Sequence, residues 1–222
     1  MGVELSSVPD GHEMPLLSQE EAAQLAKNTH YRPEELHRLH HRFYHDMIAL
    51  SPASSEAPQQ GVGFPLFCSC ASFVGVRSPI LQEMFFATFD RNRDGIITFD
   101  EFAAALSTMS RGTSREKINL AFDMFHCVNA YPQPVAPNSR TLLRSGMCAV
   151  LQALDSTFGS PIAYRDDQQV QRQKQKQQQC GTLLTAAEMA DELFASSDEV
   201  TREEFAAYAL RCPAIVKGLA IC

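Results

Sequence analysis

"FDRNRDGIITFDEF", residues Phe89 to Phe102, sets acids and short polar residues at regular intervals around a single glycine. Counted from Asp90 as position 1, side-chain oxygens fall on alternate residues, at Asp90, Asn92 and Asp94. Gly95 follows at position 6, where the chain must turn sharply and a Cβ would obstruct. Ile96 offers its backbone carbonyl at position 7, Thr98 acts through water at position 9, and Glu101 closes the series at position 12 with both carboxylate oxygens. Six to eight oxygens from one loop suit a hard cation, and a bidentate glutamate favours calcium over the smaller magnesium. The expected ligands are Asp90, Asn92, Asp94, Ile96, Thr98 and Glu101. Arg91 and Arg93 partly offset the acids, which predicts binding in the sensor range of roughly 10⁻⁷ to 10⁻⁵ M.

The surroundings make this a helix–loop–helix, the EF-hand arrangement, rather than an acidic turn that binds nothing. From Pro79 an apolar face runs through Leu81, Met84, Phe85 and Phe89, and a second helix runs through Phe102, Leu106 and Met109. Ile97 at position 8 is apolar and β-branched, fit for a short β-contact with a neighbouring loop. EF-hands pair because an isolated one leaves its apolar helix faces uncovered. The pairing partners here have lost their ligands. His126 stands where a third loop should begin with an acid, and Gly146 falls near its closing position. In "ELFASSDEVTREEF" the exiting pattern persists at Val200, Glu204 and Phe205, but counting back puts Leu193 and Ala195 at ligand positions. The stretch Phe43 to Phe67 has no ordered acid series.

Outward from the loop the reading stays helical. Ser18 and Glu21 have the spacing of a capping box, and Pro33 starts a second helix with Leu36, Leu39, Phe43 and Met47 on one side. Ser51–Gly63 reads as a loop. "SRGTS", Ser110 to Ser114, reads as a hinge with a flexible Gly112 and hydroxyl caps for the helix carrying Ile118, Ala121, Phe122 and Phe125. A proline-rich loop spans Val128–Ser139, and helices follow at Leu142–Phe158, Ala186–Phe194 and Arg202–Leu210. Asp166–Gln179 is glutamine-rich, almost devoid of the apolar residues that repay ordering, and reads as a mobile insert or a solvated helix extension. The expectation is all-α: an EF-hand lobe over 1–111 with a degenerate first and a calcium-binding second hand, and an EF-hand-like lobe over 112–222.

Composition excludes several classes. A net charge of −7 argues against nucleic acid, whose phosphates need clustered Lys and Arg. No apolar run is long enough to span a membrane, and the first residues lack the basic start and apolar stretch of a secretory signal. Seven cysteines, at Cys68, Cys70, Cys127, Cys148, Cys180, Cys212 and Cys222, are odd in number and irregular in spacing, which favours free thiols in a cytoplasmic setting. His37, His40, His41 and His45 lie on the helix from Pro33. Their i, i+4 pairs could chelate a transition metal, but beside Arg38 and Arg42 they read as a solvated face. No constellation of serine, cysteine or carboxylate suggests an enzyme.

The chain resembles the neuronal calcium sensor superfamily, including the potassium-channel-interacting proteins and, more distantly, the calcineurin B-like proteins. The resemblance rests on "LSQEEAAQLAKNTHYRPEELHRLHHRF", on "FFATFDRNRDGIITFDEFAAALSTMSRGTSREKINLAFDMF" and on "EVTREEFAAYALRCPAIVKGLAI". It implies a calcium sensor or adaptor that regulates a target protein such as a channel, phosphatase, kinase or cytoskeletal component. The third and fourth loops depart from it, as does the glutamine insert. Met1, Gly2 and Ser6 fit the N-myristoylation pattern, so a reversible membrane tether through Gly2 is a further expectation. Met84, Phe85, Phe86, Phe89, Phe102 and Met109 are candidates for a groove that takes a partner's amphipathic helix, or for the interior of the EF-hand pair. Two readings remain: a calcium switch, and a constitutive interaction protein whose calcium is structural.

Overall fold

The computed structural model describes residues 15–50, 61–73, 75–128, 141–158 and 186–211. Gly2, the glutamine-rich insert, the proline-rich loop after Val128 and the C-terminal tail lie outside the described residues. The described chain is mostly helical, as expected. In order it runs α1 (Gln19–Asn28), α2 (Pro33–Leu50), β1 (Val62–Gly63), α3 (Phe64–Phe73), α4 (Pro79–Phe89), β2 (Ile96–Ile97), α5 (Phe99–Arg111), α6 (Ser114–His126), β3 (Thr141–Leu143), α7 (Arg144–Phe158), α8 (Ala186–Leu193), β4 (Glu199–Thr201) and α9 (Arg202–Arg211).

One local device starts four of these helices. A Ser or Thr hydroxyl accepts the N–H of a residue three further on, and that residue's Glu carboxylate accepts in return from the cap. The pairs are Ser18/Glu21, Thr98/Glu101, Thr113/Glu116 and Thr201/Glu204. The two-residue and three-residue strands pair antiparallel across loops. Val62 faces Ile97, and Leu142 faces Val200. Each pairing joins two helix–loop–helix units, so Ile97 has the β-contact its position predicts.

Two stretches differ from the sequence reading. The loop expected over Ser51–Gly63 ends in strand β1, and a helix follows at Phe64–Phe73, around the paired cysteines of "FCSCASF". This helix exits the first hand, with Leu66 and Phe67 packed on the neighbouring core and Pro65 tolerated in the first turn. The helix expected from Leu142 starts at Arg144, because Thr141–Leu143 are drawn into pairing with Glu199–Thr201.

Apolar side chains gather in two clusters. One is built by Leu25, Leu36, Phe43, Tyr44, Met47, Val62, Phe86, Ile97, Phe99 and Ala103. The other draws on α6 to α9 around Phe122, Phe125, Met147 and Phe205, and also takes Leu81, Met84 and Phe85 from α4. Helix α4 therefore serves both cores. Met84, Phe85 and Phe86 are buried there, while Phe89, Phe102 and Met109 are partly covered, so most of the groove candidates are interior.

The α5–α6 joint is fastened rather than loose. Gly112 has an ordinary extended backbone (φ −60°, ψ 152°), and its N–H donates to the Thr108 carbonyl. A Cβ there would lie 2.4 Å from that carbonyl oxygen, so it is close approach, not conformational freedom, that demands glycine. The α1–α2 corner clamps the same joint. Arg111 donates to both Glu35 oxygens (2.8 and 2.9 Å) and to the His30 carbonyl, and lies over the Tyr31 ring. The His30 N–H donates to the buried Ser107 hydroxyl (2.6 Å), and the His30 imidazole meets Glu116 at 3.2 Å. The Arg111 guanidinium holds the pKa of the Glu35 carboxyl down at about 2.

Candidate metal centre

The loop between α4 and α5 is shaped by hydrogen bonds between its side chains and its own backbone. Asp90, which also ends α4, is buried, and its carboxylate accepts from the N–H groups of Asp94 (3.2 Å) and Gly95 (2.9 Å). Asn92 Oδ1 accepts from Asp94 N–H at 2.8 Å, and Asp94 Oδ1 accepts from Ile96 N–H at 2.9 Å. These side chains curl the chain in successive small turns, because a short Asx oxygen mimics a backbone carbonyl two residues away. Gly95 has φ +86°, which a side chain resists. Arg93 also has a positive φ, +61°, at a cost of about 1–2 kcal/mol for a residue with a Cβ. The flanking turns must offset that cost.

Glu101 reaches back across the loop from the first turn of α5. Its Oε1 accepts from the N–H groups of Arg91 and Asn92, both at 3.2 Å, and its Oε2 accepts from Thr98 N–H and hydroxyl. The first and last acids of the series are thus both turned to the loop, and Thr98, Ile96 and Asp94 lie between them. Among the described residues no group of three or more His, Cys, Asp or Glu side chains stands close enough to hold an ion as arranged. The donor set is nevertheless that of a hard cation: carboxylates, one amide oxygen, one carbonyl and a hydroxyl, without sulfur or imidazole. The carboxylate oxygens accept from N–H groups of the loop itself. Outside the ligand series, desolvation and the nearby Glu21 and Glu101 carboxylates push the pKa of Asp100 up from its ordinary value.

The fourth loop shows the same frame without the donors. Thr201 and Glu204 repeat the cap of Thr98 and Glu101, with Thr201 N–H and hydroxyl at 2.8 and 2.9 Å from Glu204 Oε2. Asp198 stands where Gly95 turns the second loop. Among the described non-glycine residues only Arg93 has a positive φ, so the sharp turn is not made at Asp198. Its carbonyl accepts instead from Arg144 N–H at 3.0 Å. Leu193, at the first ligand position, packs partly buried against the core beside the buried Phe194.

The sequence reading missed the partner strands, although Val62 between two glycines is the signal that locates the first of them. The histidines need a correction. His40 is buried rather than solvated, with Tyr44 and Phe99 each 4.7 Å from its ring. Burial pushes its pKa below the ordinary value. Of the cysteines, Cys180, Cys212 and Cys222 lie outside the described residues; Cys68, Cys70, Cys127 and Cys148 are free and half-buried, and desolvation pushes the first three thiols up, away from the reactive thiolate.

An EF hand domain family model matches residues 83–109, the span of this loop and most of its flanking helices. The calcium-binding protein NCSA of Dictyostelium discoideum is 33% identical over 115 residues, 52% of this chain and 56% of that protein. Neuronal calcium sensor 1 of Lymnaea stagnalis is 57% identical over 37 residues, 17% of this chain and 19% of its own length. The type 1 calcineurin B protein of Dictyostelium discoideum is 26% identical over 116 residues, 52% of this chain and 58% of that protein. The chain spans about half the length of the two Dictyostelium proteins and less of the Lymnaea one. The EF-hand match and the calcium-sensor relatives support calcium as the ion this chain binds.

Proposed function

We propose that this neuronal calcium sensor-like EF-hand protein takes up one calcium ion at Asp90–Glu101 and uses it to change its affinity for a target protein. Asp90, Asn92, Asp94 and Glu101 would supply side-chain oxygens, Ile96 a carbonyl, and Thr98 an oxygen through water. The observation that carries the reading is the seat of the two flanking helices. Helix α4 is shared between the cores, with Leu81, Met84 and Phe85 in one and Phe86 in the other, whereas α5 contributes Phe99 and Ala103 to the second core alone. Glu101 belongs to α5 and Asp90 to the end of α4, so an ion drawing both inward acts on the angle between the two cores. The protein works by binding rather than by catalysis. A membrane tether through Gly2 and a cytoplasmic setting complete the proposal.

Calorimetric titration of the full chain with calcium tests it. The expected result is a single hyperbolic, non-cooperative transition with one ion per chain. Two or more ions, or none, would overturn the single-site reading.

One observation favours a second reading, a constitutive interaction protein with structural calcium. The ligand-poor third and fourth hands are already joined through Leu142 and Val200. Partner recovery that is unchanged by a calcium chelator would select this reading over the switch.

A further inference from the structure

We propose that His41 and His45, one turn apart on α2, form a bidentate site for a first-row transition-metal ion of the Zn²⁺ or Cu²⁺ type, separate from the calcium loop. Residues at i and i+4 share a helix face, so their side chains can reach one ion. The two rings are nearly parallel, 14° apart in plane, with centroids 6.2 Å apart. His41 is exposed and the His45 side chain is 23% exposed, so a hydrated ion can approach both.

A second observation points to ligation. Asp46 Oδ1 lies 3.2 Å from His45 Nδ1. That carboxylate selects the tautomer with the proton on Nδ1, which leaves the Nε2 lone pair for a metal. An acid that accepts from the far nitrogen of a ligating imidazole fixes the ring's orientation. Arg42 Nε, 3.4 Å from the other Asp46 oxygen, steadies the acid in turn. The contrast with His40 is informative: it lies on the same helix but is buried against Tyr44 and Phe99. Since no three such side chains converge among the described residues, the protein supplies two nitrogens and water completes the shell. Metal–nitrogen bonds of about 2.0–2.1 Å require the two Nε2 atoms to come closer than the ring centres now stand. Rotation of the exposed His41 ring toward the His45 ring, which Asp46 holds, accomplishes this.

The donors are also of the wrong kind for calcium. Imidazole suits zinc, copper and nickel, whereas the loop at Asp90–Glu101 offers oxygen alone. The two sites should therefore load independently.

The test is a titration of the full, reduced chain, saturated with calcium, using Zn²⁺ and separately Ni²⁺, which competes less for thiols. The expected result is a site that His41→Ala or His45→Ala weakens at least tenfold, that Asp46→Asn weakens less, and that Glu101→Gln leaves unchanged. Unaltered calcium binding and helicity in the histidine variants show that they fold. Failure of the parent chain to bind either ion overturns the proposal, as do parent-like affinity in both histidine variants, loss of binding in Cys70→Ser alone, and displacement of calcium by the added metal.

Discussion

Glu101 and Glu204 occupy the same place in two hands, and comparing Glu101→Gln with Glu204→Gln separates calcium binding from helix capping. Each carboxylate accepts from a threonine N–H and hydroxyl at the start of its helix, at 3.0 and 2.9 Å for Glu101 and 2.8 and 2.9 Å for Glu204. Glutamine keeps one acceptor oxygen for this cap but loses the negative charge. For Glu101 the lost charge at a helix N-terminus costs about 0.3–1 kcal/mol without calcium, and the two bonds from Arg91 and Asn92 N–H weaken as well. The apo protein should therefore unfold at slightly lower urea in both variants. Calcium discriminates between them. Glu101→Gln removes the bidentate ligand and one of the loop's few charges, which should weaken binding by about a hundredfold, ~2.7 kcal/mol, moving the site to roughly 10⁻⁵–10⁻³ M. Glu204→Gln should leave the calcium isotherm unchanged, because its loop has Leu193 and Ala195 where oxygens are needed. Calorimetry gives the affinities and urea unfolding the stabilities. If calcium affinity fell equally in both variants, or if Glu101→Gln bound as the parent does, the assignment of the ion to the second hand would be refuted.

Three further outcomes follow from the packing. Gly112→Ala should destabilise by about 1–3 kcal/mol, since its Cβ would meet backbone at 2.4 Å; unchanged or higher stability would show the joint to be loose. Glu35 has its pKa lowered to about 2 from 4.5, so its contribution is present above the unfolded value and is lost as pH falls toward 2; Arg111→Met should flatten that acid limb of the melting-temperature profile, and an unchanged slope would count against the clamp. Leu142→Ala, at a fully buried strand position, should cost about 2–5 kcal/mol while leaving calcium affinity near the parent value; Ile97→Ala, inside the calcium loop, should lose both stability and affinity, measured by the same two assays.

Local chemistry made much of this protein legible in its sequence. Each of the four Ser/Thr–Glu caps is complete within a few residues, and so is the series Asp90, Asn92, Asp94, Gly95, Glu101. The periodic faces of α2, α4 and α6 were readable for the same reason: a helix declares its buried side at spacings of three and four. Strands of two or three residues declare nothing. Thr141–Leu143 has the composition of a helix start and became a strand because Glu199–Thr201 lay opposite. Likewise His40 shares a run with three other histidines, and Phe99 approaching from α5 joins Tyr44 of its own helix in burying it.

By itself the sequence determined which loop can hold a hard cation, because ligand type and spacing within one loop are local properties of the chain. It also determined that the fourth loop has no side-chain oxygen at its first and third positions, where Leu193 and Ala195 stand. Only the tertiary structure decided what such an ion could move. That α4 is shared between two cores, that Gly112 lies against the Thr108 carbonyl, and that Arg111 and His30 fasten the α1–α2 corner to the α5–α6 joint all depend on how whole elements pack. The physical reason is burial: which face meets which partner is set by packing between elements, and no single element carries that information.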